Sequence, residues 1–247
     1  MVFDRRRLRR CKAGWKFAQP LTYTGGDPDS WTSINPHPAA GVSGAVASGF
    51  LLSHNRMMTA GHCVKGGNCF TSSLEPDELA FVFDLTEVWF RSASMPDLSD
   101  SQVYFGSRLL AGEFNARFMD IPDWAVVELE CPLAPSRDCH LSAGNQSVDQ
   151  QVKLVGHPNG RLQSCWSGRL INCTPVDHEP YYLLQAPALP GASGSLVSDC
   201  DGRLLGLLAG TASDAAIDKL GGRERVNDPF PLGRVTPSVI FQEFLRE

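Results

Sequence analysis

The sequence predicts an all-β fold built from antiparallel barrels, closed by one short C-terminal helix. Three observations carry this. Short apolar runs recur along the 247 residues. Clusters rich in Gly, Pro and Asp separate them. Only the C-terminus has a helical pattern.

Residues 1–40 read as an extended arm with turns at Gly25-Gly26-Asp27-Pro28 and Asn35-Pro36-His37-Pro38. From Gly41 the texture changes. Residues 45–53 read as a strand, His54-Asn55-Arg56 as a turn, and Met57-Met58-Thr59 as a returning strand that delivers Gly61-His62. Short strands follow at 79–83, 87–90 and 102–105, and the apolar strand 124–129 closes this half. Residues 131–149 have no long apolar run and read as the link between halves. Gln151–Val155 opens the second half. Residues 164–167 and 168–172 read as a hairpin, 181–184 leads toward a glycine loop at 191, and 195–198 pairs with 204–208 across the turn at Asp201-Gly202. At the end, Thr236 stands at a cap position and Pro237 at the first helical residue. Val239, Ile240, Phe244 and Leu245 give a short helix its apolar face. The domains are thus an arm at 1–40, a first barrel at 41–135 and a second at 136–247.

Composition bounds the function. Hydrophobic residues make up 43% and charged residues 20%, as in a folded globular protein. The net charge of −5 argues against a nucleic-acid partner. The scattered tryptophans lack the interleaved cations of a stacking surface. Arg5, Arg6, Arg7, Arg9, Arg10, Lys12 and Lys16 crowd the start, so the body beyond is acidic. The arm is expected to be solvated or docked on that body. No apolar run reaches the roughly 20 residues of a spanning helix, so no stable membrane insertion is expected. Nor does the start carry the apolar run of roughly 7–15 residues that marks a signal peptide. The eight cysteines pull the other way, toward disulfides and an oxidising or secreted setting. Neighbours suggest Cys63–Cys69, Cys131–Cys139 and Cys165–Cys173, leaving Cys11–Cys200, among about a hundred possible pairings. None of these spacings is a zinc knuckle, and no metal or cofactor is expected.

Three strings carry chemistry: Thr59-Ala60-Gly61-His62-Cys63, Asp123-Trp124-Ala125-Val126-Val127, and Gly191-Ala192-Ser193-Gly194-Ser195. They supply a base, a carboxylate to orient it and a nucleophile among glycines, the set that metal-free acyl transfer needs. The order His, Asp, Ser excludes an α/β-hydrolase, whose nucleophile comes first and whose histidine comes last. Asp120 competes with Asp123 but lies out of register with the strand.

These strings resemble those of serine peptidases of the chymotrypsin–trypsin fold, and are similar in particular to the compact bacterial-type branch that includes the glutamyl endopeptidases. The resemblance covers roughly residues 41–246 and implies two six-stranded antiparallel β-barrels with the site between them. It implies His62 as base, Asp123 as its orienting acid and Ser193 as nucleophile. The N–H groups of Gly191 and Ser193 would form the oxyanion hole. His157, in a Gly-His-Pro string similar to the family's Gly-Tyr-Pro, is given a packing role. The chain is expected to act as a monomer on a polypeptide substrate.

The departures matter. The family's Asp before the nucleophile is Ala192, and its second Gly and Pro are Ser195 and Leu196. A side chain at Ser195 is compatible with close packing but not with dihedrals open only to glycine. The resemblance puts the specificity pocket at Pro187, Leu208, Ala209 and Thr211, with Gly210 between. No charge stands there, which points to small or medium uncharged side chains. Ser195-Leu196 and the missing pocket signature leave open a second reading, a catalytically silent protein that acts by binding on the same scaffold.

Overall fold

The computed structural model describes residues 1–19, 45–64, 74–85, 97–114, 122–133, 144–158, 162–172, 181–186, 188–212 and 232–245. The expected strand at 87–90, both turns of the arm, Pro187, Cys69, Cys139 and Cys173 lie outside them.

The first half is an open sheet. Its strands are β1 (Val2–Asp4), β4 (Ala45–Ala47), β5 (Phe50–Ser53), β6 (Arg56–Thr59), β7 (Leu79–Val82), β8 (Val103–Glu113) and β9 (Trp124–Leu129), in the order β4-β1-β7-β8-β9-β6-β5. This corrects the expectation of a closed six-stranded barrel. The run 45–53 breaks at Ser48-Gly49, and its halves become the two edges of one seven-stranded sheet. The break has a cause: the Ser48 N–H donates to Ser193 O at 2.8 Å instead of joining a ladder.

Residues 1–17 are not a peripheral arm. β1 inserts between β4 and β7. β2 (Leu8–Cys11) and β3 (Gly14–Phe17) form a hairpin that pairs Leu8 with Phe17. Both faces of β7 are buried: Leu79 and Phe81 pack with Leu51, Met57 and Val127, whereas Ala80 and Val82 pack with Phe3, Leu8 and Phe17. A run apolar at every position needs a cover on each side, and the hairpin supplies the second. Arginines of this segment dock on the acidic body. Arg5 pairs with Glu130 and lies 4.2 Å from the Phe105 ring centroid, and Arg10 pairs with Asp100.

The second half is a closed barrel. Its strands are β10 (Gln151–Gly156), β11 (Ser164–Asn172), β12 (Tyr182–Gln185), β13 (Ser195–Ser198), β14 (Leu204–Thr211) and β15 (Gly233–Pro237), closed in the order β10-β11-β12-β15-β14-β13. Residues 164–172 are one strand rather than a hairpin. Gly168 lies within it because β11 meets β12 closely there. A Cβ at that position would stand 2.7 Å from the Ala186 methyl.

The C-terminal segment Ser238–Leu245 is 3₁₀, and Phe241 (φ −122°, ψ 21°) breaks it into two short turns. Thr236 and Pro237, expected as cap and first turn, instead end β15. Phe241 is fully buried with Phe50, Met58 and Trp124 of the first half and Leu204 and Leu207 of the second. This cluster joins the halves. No helix among the described residues is long and apolar enough to cross a membrane.

Cys11, Cys63, Cys131, Cys165 and Cys200 carry free thiols. Cys11 and Cys200, expected as a pair, are therefore not bridged, and the described members of the three local pairs stand unbridged.

Candidate active site

The histidine is set by a strand end. β6 pairs with β9, placing Thr59 opposite Ala125. A single 3₁₀ turn, Gly61–Cys63, follows. Gly61 has to be small. A Cβ on it would stand 2.5 Å from Glu113 O and 2.9 Å from Trp124 O. The turn aims His62 at Asp123, the residue just before β9.

Asp123 is 2% exposed and holds His62 at two points. Its Oδ1 accepts the His62 backbone N–H at 2.9 Å, and its Oδ2 lies 2.7 Å from Nδ1. An ionised carboxylate only accepts, so Nδ1 carries the proton and the Nε2 lone pair is left available. Phe114 packs beside the imidazole, with ring centroids 5.7 Å apart. Burial alone would push the His62 imidazolium toward losing its proton. The interaction with the neighbouring Cys63 sulfur and the hydrogen bond to Asp123 outweigh it, and the pKa is raised above its ordinary 6.5.

The backbone of Asp123 is held from the other half. Its N–H donates to Thr236 Oγ1, and Thr236 Oγ1–H is 3.2 Å from Asp123 O. Arg234, two residues earlier on β15 and buried, brings Nη2 to 3.9 Å from Asp123 Oδ2. Neither residue was read from the sequence, because 233–237 was not recognised as a strand. A lone arginine in the otherwise uncharged Leu232-Gly-Arg-Val-Thr-Pro237 was the available signal.

Ser193 lies in the loop that opens β13, and Ser48 stitches this loop to the first half. The Ser48 N–H donates to Ser193 O, its Oγ donates to Gly191 O at 2.8 Å, and the same Oγ accepts from His157 N at 2.8 Å. Thr59 Oγ1 in turn donates to Ser48 O at 2.7 Å. One serine thus joins the histidine strand, the glycine loop and the Gly156-His157 corner. Sequence reading placed Ser48 inside a strand and missed this. Gly194 (φ +87°) sits so close that a Cβ would lie 2.1 Å from Ser48 O. Gly191 also has positive φ, at +78°. Ser195 begins β13 and is not among the positive-φ residues, so its departure from glycine costs no backbone strain. Its Oγ occupies the space that Gly156 leaves.

The expected pocket positions fall around β14. Leu208 is fully buried with Ala188 and Ala192 under the loop. Ala209 is buried, and Thr211 is exposed at the strand end.

Known proteins share this fold. The family model described as "Trypsin-like peptidase domain" matches residues 47–207. A Glu endopeptidase solved in complex with MPD is 15% identical over 81% of this chain and 83% of its own, with a TM-score of 0.55. The active form of the Rv3671c protease from M. tuberculosis is 17% identical over 81% of this chain and 71% of its own, with a TM-score of 0.48. Among curated proteins no match is found.

Proposed function

From a chain that belongs to the trypsin-like peptidase family, we propose a serine endopeptidase in which His62, Asp123 and Ser193 perform acyl transfer. One observation carries the reading: the buried Asp123 carboxylate holds both the backbone and Nδ1 of His62. A histidine with a merely packed ring needs only one partner. One held at two points has its tautomer and orientation fixed.

Nε2 of His62 takes the proton of Ser193 Oγ as that oxygen forms a bond to the peptide carbonyl carbon. The C=O electron pair moves onto oxygen, where the N–H groups of Gly191 and Ser193 stabilise it. As the tetrahedral centre collapses, the C–N bond breaks and the imidazolium gives its proton to the departing amine. Water then attacks the acyl-enzyme by the same route, giving the carboxylic acid and free Ser193. Asp123 stabilises the imidazolium without accepting its proton.

The absence of a charge at Leu208, Ala209 and Thr211 favours a small or medium uncharged residue before the scissile bond. An unpaired buried charge there would cost several kcal/mol.

Fluorophosphonate labelling tests the catalytic reading. The expected result is one adduct, on Ser193, absent from Ser193→Ala. A folded protein that takes no label would be the silent binder instead. Cleavage of a diverse peptide library tests specificity, and dominant cutting after Arg, Lys or Glu would refute the uncharged pocket.

A further inference from the structure

Asp123 has a charged neighbour that the acyl-transfer chemistry does not use. Arg234 is 5% exposed on β15, opposite Gly210 in the barrel ladder. Its guanidinium lies 5.5 Å from the Tyr181 ring centroid. Its Nη2 is 3.9 Å from Asp123 Oδ2, the oxygen that also meets His62 Nδ1. That nitrogen also stands 4.0 Å from where a Cβ on Gly210 would be.

Burying a guanidinium costs free energy that barrel closure does not require. An apolar residue would close the β14–β15 ladder as well. The separation is longer than a hydrogen bond, so the contact with Asp123 acts through charge. A unit charge at this distance, shielded from water, still interacts by more than a surface pair does.

We propose that Arg234 is a positioning residue for the His62–Asp123 pair: it shares Asp123 Oδ2 with the imidazole and tempers the carboxylate's pull on it. The inference rests on the catalytic reading above. Among the described residues, the charged and titratable groups around the pair are these. The Gly61–Cys63 turn contributes His62 and Cys63, β15 contributes Arg234, and Tyr181 lies behind the guanidinium. β8 presents the Glu113 carbonyl, and β14 presents uncharged Gly210. Among the described residues, Arg234 is thus a cation set beside Asp123, which favours the imidazolium. A base that must release its proton near working pH needs such a counterweight.

The sign follows. Removing the cation takes away a charge that disfavours the imidazolium, so His62 holds its proton to higher pH. The test is an NMR titration of the His62 ring in ¹⁵N-histidine-labelled protein, with His62→Gln for assignment. In Arg234→Met the midpoint should rise by about half a unit. In kinetics this appears as about a threefold loss of kcat/KM below the acid limb and no loss above it. Arg234→Lys should keep the wild-type midpoint. In an Asp123→Asn background, Arg234→Met should produce a smaller shift, because the carboxylate that holds the guanidinium beside the ring is gone. A folded Arg234→Met with an unmoved midpoint overturns the proposal, as does a shift undiminished in Asp123→Asn. If the methionine variant does not fold, Arg234→Gln is read by the same criteria. The titration reports on His62 whether or not Ser193 turns over, and fluorophosphonate labelling reports on Ser193 alone. The two readings therefore fail separately.

Discussion

Asp123 grips His62 twice, accepting its backbone N–H on Oδ1 at 2.9 Å while Oδ2 meets the ring at 2.7 Å. The first contact fixes the 3₁₀ turn, and the second fixes the ring within it. Both depend on one carboxylate. Asp123→Asn keeps the shape but places an NH₂ group where one oxygen stood. If the amide faces the ring, the histidine is forced into the wrong tautomer. We expect kcat to fall by about 10⁴-fold, the usual cost of this change in a Ser-His-Asp triad, with circular dichroism unchanged. A variant that keeps a tenth of wild-type activity would remove Asp123 from the mechanism.

The pH behaviour follows from the raised pKa of His62. The base works only when neutral, so kcat/KM should rise through a midpoint above the ordinary 6.5, giving an alkaline optimum. Stability has the opposite slope. A group whose folded pKa exceeds its unfolded value contributes fully below the unfolded value, and the contribution is lost as pH rises through the folded one. Denaturant midpoints for Ser193→Ala should therefore decline from pH 6.5 upward, across the range where wild-type activity grows. His62→Gln should flatten that decline. An acid limb below pH 6 would contradict the environment described for His62.

Ser48→Ala isolates the stitch between the halves. The variant keeps the backbone bond to Ser193 O but loses the Oγ bonds to Gly191 O and from His157 N. Two polar groups in a partly buried site then lack their partner, which should cost about 1–3 kcal/mol. The loop should also be less well held, so fluorophosphonate labelling of Ser193 should slow more than His62 titration moves. Labelling at the wild-type rate would show that the glycine loop keeps its shape without Ser48.

The strings around His62, Asp123 and Ser193 were legible because each combines a special residue with a strand boundary. Period and turn chemistry also gave 124–129 and 195–198 as strands with their observed bounds. What could not be read depends on contacts distant in sequence. Gly168 reads as a turn glycine, and only the approach of Ala186 shows why it stands inside a strand. Val103–Glu113 is a full strand with register shifts beside Gly106 and after Leu109, which break the alternation that defines a strand in sequence. The hairpin at 8–17 looked like a charged arm because Leu8 and Phe17 are its only large buried side chains, with Trp15 packed partly beside them, whereas its arginines draw the eye. Ser48, at the break between β4 and β5, and Thr236 and Arg234 on β15 support the site from segments whose own patterns do not mention it.

Thr236 offers the final test, and it separates support of the backbone from the chemistry itself. Its hydroxyl is the partner of both the Asp123 N–H and C=O, at 3.2 Å each, and the residue is 1% exposed. Thr236→Val keeps the shape and leaves two buried backbone groups without that partner. Unfolding should become easier by about 1–3 kcal/mol, the usual cost of a buried polar group left unsatisfied. Thr236→Ser retains the hydroxyl and should recover most of that loss. The Asp123 carboxylate still meets His62 in either variant, so kcat should fall far less than in Asp123→Asn, and the acid limb of the pH profile should stay in place. Denaturant unfolding of the two variants, read beside their pH–rate profiles, decides the matter. A Thr236→Val protein as stable as wild type would mean that the backbone of Asp123 is held by the β6–β9 ladder alone. One whose acid limb moved would mean that Thr236 acts on the charge of the pair and not only on its position.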